Sequence, residues 1–216
     1  MTGPVGSGAG TAPPADYELL LPEGWFRVHI DPESRERSVD ALLDRRFAGL
    51  DNAPHIKRRL RDDLLAQATA AFRDGGIELY LSFQQAGPLT VPASLLVTLL
   101  HPAPGRSLPS PQDISDRLAA DTAADVSVVE LAAGTAVRTR RSTGQPDASA
   151  PAGTPGSPDD ALPSVTLDYQ VPVPGTEAQL LLTFSTPLVQ IADAMVELFD
   201  AVAGSLKWMD GGSAHE

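Results

Sequence analysis

The stretch "AQLLLTFSTPLVQIADAMVELFDAVAGSLKW", residues 178 to 208, changes its period at Ser185-Thr186-Pro187. Residues 178 to 185 are apolar on both faces, as a central strand covered from two sides must be. Thr186 then offers a capping hydroxyl and Pro187 sits where a missing N–H costs nothing, which predicts a helix start. Beyond it Leu188, Ile191, Met195, Leu198, Val202 and Leu206 recur at spacings of three and four, flanked by Val189, Val196 and Ala203. A two-sided strand that hands its chain to an amphipathic helix implies a sheet with that helix packed on it. No His, Cys or basic residue precedes Lys207 in the stretch, so it reads as packing and carries no chemistry.

Working outward, "SLLVTLL" (94 to 100) is a second two-sided strand. "WFRVHI" (25 to 30), "IELYLSFQ" (77 to 84) and "SVTLDYQV" (164 to 171) alternate apolar with polar, the signature of strands with two different faces. "VSVVEL" (126 to 131) and "TAVRTRR" (135 to 141) read as a hairpin about residues 132 to 134. Helix starts are predicted at Asp31-Pro32, Ser110-Pro111 and Thr186-Pro187, and at Ala53-Pro54 after Asn52; Ile56, Leu60, Leu64, Ala68 and Ala71 form a stripe in the helix that follows. Short turns between strands imply antiparallel pairing, and two-sided strands imply helices on both sides. The expected fold is therefore a three-layer α/β/α sandwich of the α+β type with a mostly antiparallel central sheet.

A chain of 216 residues with 42% hydrophobic content can bury one sizeable core, so one domain over residues 16 to 209 is expected. Residues 1 to 15 and 142 to 163 are rich in Gly, Pro, Ala, Ser and Thr and read as a disordered tail and a disordered inserted loop, with 210 to 216 as a second tail. The absence of cysteine excludes disulfides, thiolate zinc sites and cysteine nucleophiles, and fits a reducing compartment. The first residues lack a basic start followed by an apolar run, and the longest apolar block, "LTVPASLLVTLL" (89 to 100), is short for a bilayer and contains Pro92. A cytoplasmic protein without membrane insertion is expected. Net charge is −12, with the acid excess in residues 62 to 216; such a field repels phosphate backbones, so nucleic acid is not an expected partner.

The opening "LPEGWFRVHI" (21 to 30) and the close "LDYQVPVPGTEAQLLLTFSTPLVQIADAMVELFDAVAGSLKW" (167 to 208) resemble the PsbP-like α/β/α sandwich group. In that group a Pro-x-Gly-Trp opening leads into the first strand and a final strand–helix pair ends the domain. Basic residues are almost all Arg, with only Lys57 and Lys207 as Lys, which is similar to an actinobacterial branch. The long loop departs from the group's pattern. The resemblance implies a mostly non-enzymatic protein, since the group holds extrinsic subunits, small-GTPase-binding factors and lipoproteins. It implies an accessory or adaptor domain whose partner is another protein, with no cofactor.

Few residues suggest a site. "GSGAG" (6 to 10) has no strand before it and no helix after it, so it is not a phosphate loop. His29, His55, His101 and His215 lack metal-ligand spacing, and no Gly-x-Ser-x-Gly elbow is present, so neither a metal nor a catalytic set is expected. In "KRRLRDD" (57 to 63) Arg58 with Asp62 and Arg59 with Asp63 are expected to pair along one helix. The "RTRR" cluster (138 to 141) reads as an Arg-guarded edge strand, and Asp193, Glu197 and Asp200 as a solvated stripe opposite the last helix's apolar face. One constellation remains. Trp25, Arg27 and His29 share a face of the first strand, Glu78 and Tyr80 a face of another, and Asp168 and Gln170 a face of a third. If these strands neighbour one another they form a polar patch with an aromatic wall. That patch would serve a small-molecule or anion-binding protein, conceivably an enzyme, or a partner's side chain; alternatively its charges merely pair across strands.

Overall fold

Alternating side chains give each strand an apolar face that only a neighbouring layer removes from water, and the molecule is arranged accordingly. The computed structural model describes residues 14, 16–48, 54–87, 89–103, 105, 107–120, 124–143 and 163–209. Its strands are β1 (Asp16–Glu18), β2 (Trp25–Val28), β3 (Gly76–Ala86), β4 (Leu89–Leu100), β5 (Ala124–Leu131), β6 (Gly134–Thr143), β7 (Ser164–Pro172), β8 (Gln179–Thr186) and β9 (Lys207–Met209). Its helices are α1 (Arg35–Arg46), α2 (Pro54–Arg73), α3 (Pro111–Leu118) and α4 (Ala192–Gly204). The main sheet runs β2-β3-β4-β8-β7-β6-β5, every neighbouring pair antiparallel, while β1 and β9 form a separate two-stranded ribbon.

One face of the sheet presents Leu95, Leu167, Leu182 and Phe184 to Met195, Phe199 and Val202 of α4. Phe184 and Phe199 stack with ring centroids 4.9 Å apart and an interplanar angle of 20°. The other face presents Val28, Leu79 and Leu81 to Val39, Leu42 and Leu43 of α1 and to Leu64 and Ala68 of α2. This is the three-layer α/β/α sandwich with an antiparallel centre that the periodicities predict. Pro92 is tolerated inside β4 because β8 begins its pairing only at Ser94, so the missing N–H breaks no bond to that neighbour.

Several boundaries differ from the sequence reading, each for a local reason. Helix α1 starts at Arg35, not at Asp31-Pro32, because Asp31 Oδ1 accepts from the Ser34 and Glu33 N–H groups at 2.9 and 3.1 Å and forms a turn first. At Ser110-Pro111 the sequence signal holds: Ser110 and Asp113 form a reciprocal capping box. After Thr186-Pro187 the chain makes a short 3-10 turn, Val189–Ile191, before α4 begins. The buried face of α4 is consequently Met195, Val196, Phe199, Val202 and Ala203, and Leu198 is only partly buried. The helix stops at Gly204, although the apolar stripe runs on to Leu206, and residues 207 to 209 form β9. Strand β6 runs on to Thr143, which pairs with Ser164 of β7, so the expected loop is narrower by two residues at its start. The expected tails and loop otherwise lie outside the described residues except at Pro14 and Pro163.

Two consequences are testable. Thr143 and Ser164 are direct partners, so replacing residues 144 to 162 with a short Gly-Ser turn joins ends that are already adjacent. The thermal midpoint is expected to move by less than about 5 °C, and a larger fall means that the segment packs on the domain. Phe199→Ala is expected to cost about 3 to 5 kcal/mol by urea unfolding, because the side chain is fully buried at the centre of its layer. Leu198→Ala should cost clearly less; equal costs would place the packing face wrongly.

Candidate functional site

The polar residues of β2 and β3 meet because the antiparallel register sets Arg27 opposite Tyr80 and Trp25 opposite Ser82, with Glu78 two residues from Tyr80 on the same face. Glu78 is the centre of this group. Its Oε2 accepts from the Tyr17 hydroxyl at 2.5 Å and from the Tyr80 hydroxyl at 2.7 Å, and its Oε1 pairs with Arg27. Tyr17 arrives from β1, which lies inside the expected domain but to which the sequence reading assigned no element. The Glu78 side chain is 15% exposed and that of Arg27 53%, so the carboxylate is enclosed while the guanidinium reaches solvent. Burial pushes the Tyr17 and Tyr80 hydroxyls well above their ordinary value, and the hydrogen bonds to Glu78 and its charge add to the effect. Both tyrosines are therefore fixed donors. The two oxygens of one carboxylate thus hold three donors from three different residues.

His29 lies just beyond the end of β2, exposed, with its backbone N–H donating to Ser38 Oγ at 2.9 Å. Together with Arg27 it lines a cleft of 220 Å³ that also includes Phe72, Gly76, Ile77 and Glu78. Gly76 is required there, since an added Cβ would come within 2.7 Å of the Ala71 carbonyl oxygen.

Asp168 and Gln170 do not join the group. The register runs Tyr80 to Leu95, Leu95 to Phe184 and Phe184 to Leu167, so Leu167 shares the face of Tyr80 and its neighbour Asp168 points to the opposite side. Strand β7 is also separated from β3 by β4 and β8. Asp168 pairs with Arg141 at 2.8 Å. Burial raises its carboxyl above the ordinary range despite the Thr183 hydroxyl and the Arg141 charge, which act the other way.

Two other expectations correct each other. Strand β6 is internal, not an edge, and its arginines reach α4: Arg138 grips Asp200 bidentately at 2.9 and 3.2 Å, and Arg140 bonds Asp193 at 2.8 Å. The Tyr169 hydroxyl also donates to Asp200. Two of the three α4 acids expected to be solvated, Asp193 and Asp200, are thus partners of the arginines expected to guard an edge, while Glu197 is exposed as expected. In α2 Lys57 pairs with Asp44 and Arg61 with Asp40 of α1, each at 2.6 Å, while the expected Arg58–Asp62 and Arg59–Asp63 pairs do not form.

A second recess, of 340 Å³, went unseen in the sequence. Phe26, Phe83, Leu42, Arg45 and Arg46 line it beside the Gly24 turn. Gly24 has φ +86° and an added Cβ would come within 2.7 Å of Gln84 Cγ, while the Gln84 amide donates to the Glu23 carbonyl. These two facts give the Pro-x-Gly-Trp opening a physical basis. The available signal for the recess was Arg45-Arg46 at a helix end, which periodicity alone could not connect to Phe26 or Phe83. Among the described residues no three His, Asp or Glu side chains converge to hold a metal, and no helix is long and apolar enough to cross a membrane.

No protein-family model matches the chain, and no curated protein matches it. Among solved structures it is similar to the Ran-binding protein Mog1p of Saccharomyces cerevisiae, at 15% identity and a TM-score of 0.40, covering 63% of this chain and 80% of that one. It is also similar to LpqN, involved in cell envelope biogenesis of Mycobacterium tuberculosis, at 13% identity and a TM-score of 0.43, covering 92% of this chain and 87% of that one. Likenesses at this level transfer no partner or activity to this chain.

The Glu78 network yields a pH test. Both tyrosines have folded-state values above the unfolded value of about 10, so their contribution is full below that pH and is lost as pH rises toward the folded values. Stability measured by urea unfolding is expected to fall from about pH 9 to 11. In Tyr17→Phe the fall should be shallower by the equivalent of one proton, with a loss of about 1 kcal/mol at neutral pH. An unchanged slope would remove Tyr17 from the network.

Proposed function

We propose that residues 16 to 209 act as one non-catalytic accessory domain that works by contact with another protein in the cytoplasm. The observation that supports this reading is the 220 Å³ cleft beyond the end of β2, where Phe72 and Ile77 are each 44% exposed on the same concave surface. Singly exposed apolar side chains are ordinary, but a pair at a cleft with a charged rim has the composition of a contact site. Arg27, His29, Asp31 and Glu78 supply that rim, and the Arg35 guanidinium lies 5.9 Å from the Phe72 ring centroid. The cleft is below the usual size of a small-molecule pocket, and suits one inserted side chain. Its only enclosed carboxylate is already occupied by Arg27 and two tyrosines.

The second reading, a small-molecule or anion site, is favoured by Arg27 and His29 lying on the wall of that cleft. The pairing of Arg27 with Glu78 opposes it, since an incoming anion would have to compete with a resident carboxylate.

The test compares the parent with a Phe72→Ser/Ile77→Ser variant. Both side chains are half exposed, so thermal unfolding should change little, while a partner captured by the parent from its native host should be lost by the variant. Capture of the same proteins by both would remove this surface from the function. A metabolite that raises the midpoint of the parent, but not of Arg27→Ala or His29→Ala, would favour the second reading.

A further inference from the structure

We propose that the 340 Å³ recess at the start of β2 is a binding site for a small aromatic carboxylate, independent of the protein-contact cleft at the strand's other end. Its walls are Phe26 and Phe83, both half-buried, and its base includes the buried Leu42. Its mouth is formed by Arg45 and Arg46, both exposed, whose guanidinium carbons lie 5.9 Å from the ring centroids of Phe26 and Phe83 respectively. Flat apolar walls select a flat apolar body, and two guanidinium groups at the mouth select an anionic end.

The mouth carries positive charge that no carboxylate among the described residues neutralises. The chain carries a net charge of −12, and Arg27, Arg61, Arg138, Arg140 and Arg141 all meet carboxylates. Arg45 and Arg46, like Arg35, Arg37, Arg58, Arg59 and Arg117, form no ion pair among the described residues; what sets the two apart is that they sit side by side over the two rings of one recess. A purely structural role accounts for part of this, because cations at a helix C-terminus favour the helix dipole and a guanidinium over a ring is attracted to it. Those roles need no open volume. Here a recess of small-ligand size remains beneath the two cations, and its margin is held in shape by the Gly24 turn and the Gln84 bond to Glu23.

The probe is 2-naphthoate, titrated calorimetrically into the full chain, with 2-naphthamide as its neutral counterpart and acetate as the head group alone. Saturable binding of 2-naphthoate is expected, with the amide and acetate roughly tenfold or more weaker, because both the charge-assisted bonds and the apolar walls are used. The Arg45→Gln/Arg46→Gln variant should bind 2-naphthoate roughly tenfold or more weakly while still unfolding cooperatively within about 5 °C of the parent, since both side chains are exposed and lose only helix-dipole and ring contacts. The Phe72→Ser/Ile77→Ser variant should bind it as the parent does. No saturable binding to the parent, equal affinity for the amide, or undiminished affinity in the arginine variant would each overturn the proposal. Loss of binding in the Phe72→Ser/Ile77→Ser variant instead would place the ligand in the other cleft.

Discussion

The seat of α4 on the sheet is the contact on which the other layers depend. Phe199 stacked on Phe184 removes the largest apolar surfaces from water at the centre of the molecule, and that burial supplies the energy. The bidentate pair of Arg138 with Asp200, joined by the Tyr169 hydroxyl, does something different. Its arginine is only 15% exposed, so the cost of withdrawing charge from water offsets much of the attraction. What the pair contributes is position. Asp193 and Asp200 are seven residues apart, roughly 10 Å along a helix, while Arg138 and Arg140 are two residues apart, roughly 7 Å along a strand. Only when α4 sits at one height along the sheet do both long side chains of β6 reach their carboxylates.

With α4 placed, the rest of that face needs another cover, and the two ends of the domain provide it. Strand β1 pairs with β9, and the ribbon sends side chains in both directions: Tyr17 to Glu78 on β3, and Trp208 through its indole N–H to the Ala133 carbonyl at 2.8 Å. This closure turns Glu78 from a sheet-face carboxylate into an enclosed acceptor of three donors. A patch that sequence alternation offered as a binding surface is thereby largely consumed by the fold.

The architecture was legible because periodicity reports faces directly. The two-sided runs of β4 and β8 are central, the alternating runs of β2, β3 and β7 have unlike faces, and Ser110-Pro111 marks a helix start. Short elements were not legible: three residues at Asp16–Glu18 and three at Lys207–Met209 carry no period, and they become strands only because they pair with each other. The site was half legible for the same reason. Arg27, Glu78 and Tyr80 come together because their strands are neighbours, whereas the sequence could not say that β7 lies three places from β3 with Asp168 on the reverse face. Nor could single-helix spacing foresee that Arg61 prefers Asp40 of α1, or that the acids of α4 answer the arginines of β6.

Both openings at this edge have one geometric origin. Strand β2 has four residues and pairs with Leu79 to Ser82, while β3 runs from Gly76 to Ala86. The longer strand therefore projects past its neighbour at each end, and a projecting strand leaves part of its face without lateral cover. At one end Gly76, Ile77 and Glu78 line the smaller cleft; at the other Phe83 lines the larger recess. The residues that shorten β2 are the Gly24 turn before it, where φ is +86°, and the Asp31 turn after it, where the side chain accepts from the Glu33 and Ser34 N–H groups. Turn chemistry at two positions thus leaves concave surface at the one edge where charged and aromatic side chains from α1, α2 and β3 converge. Lengthening β2 at either end would close the adjacent opening without touching the core, so the shortness of this strand is what keeps both concave surfaces open.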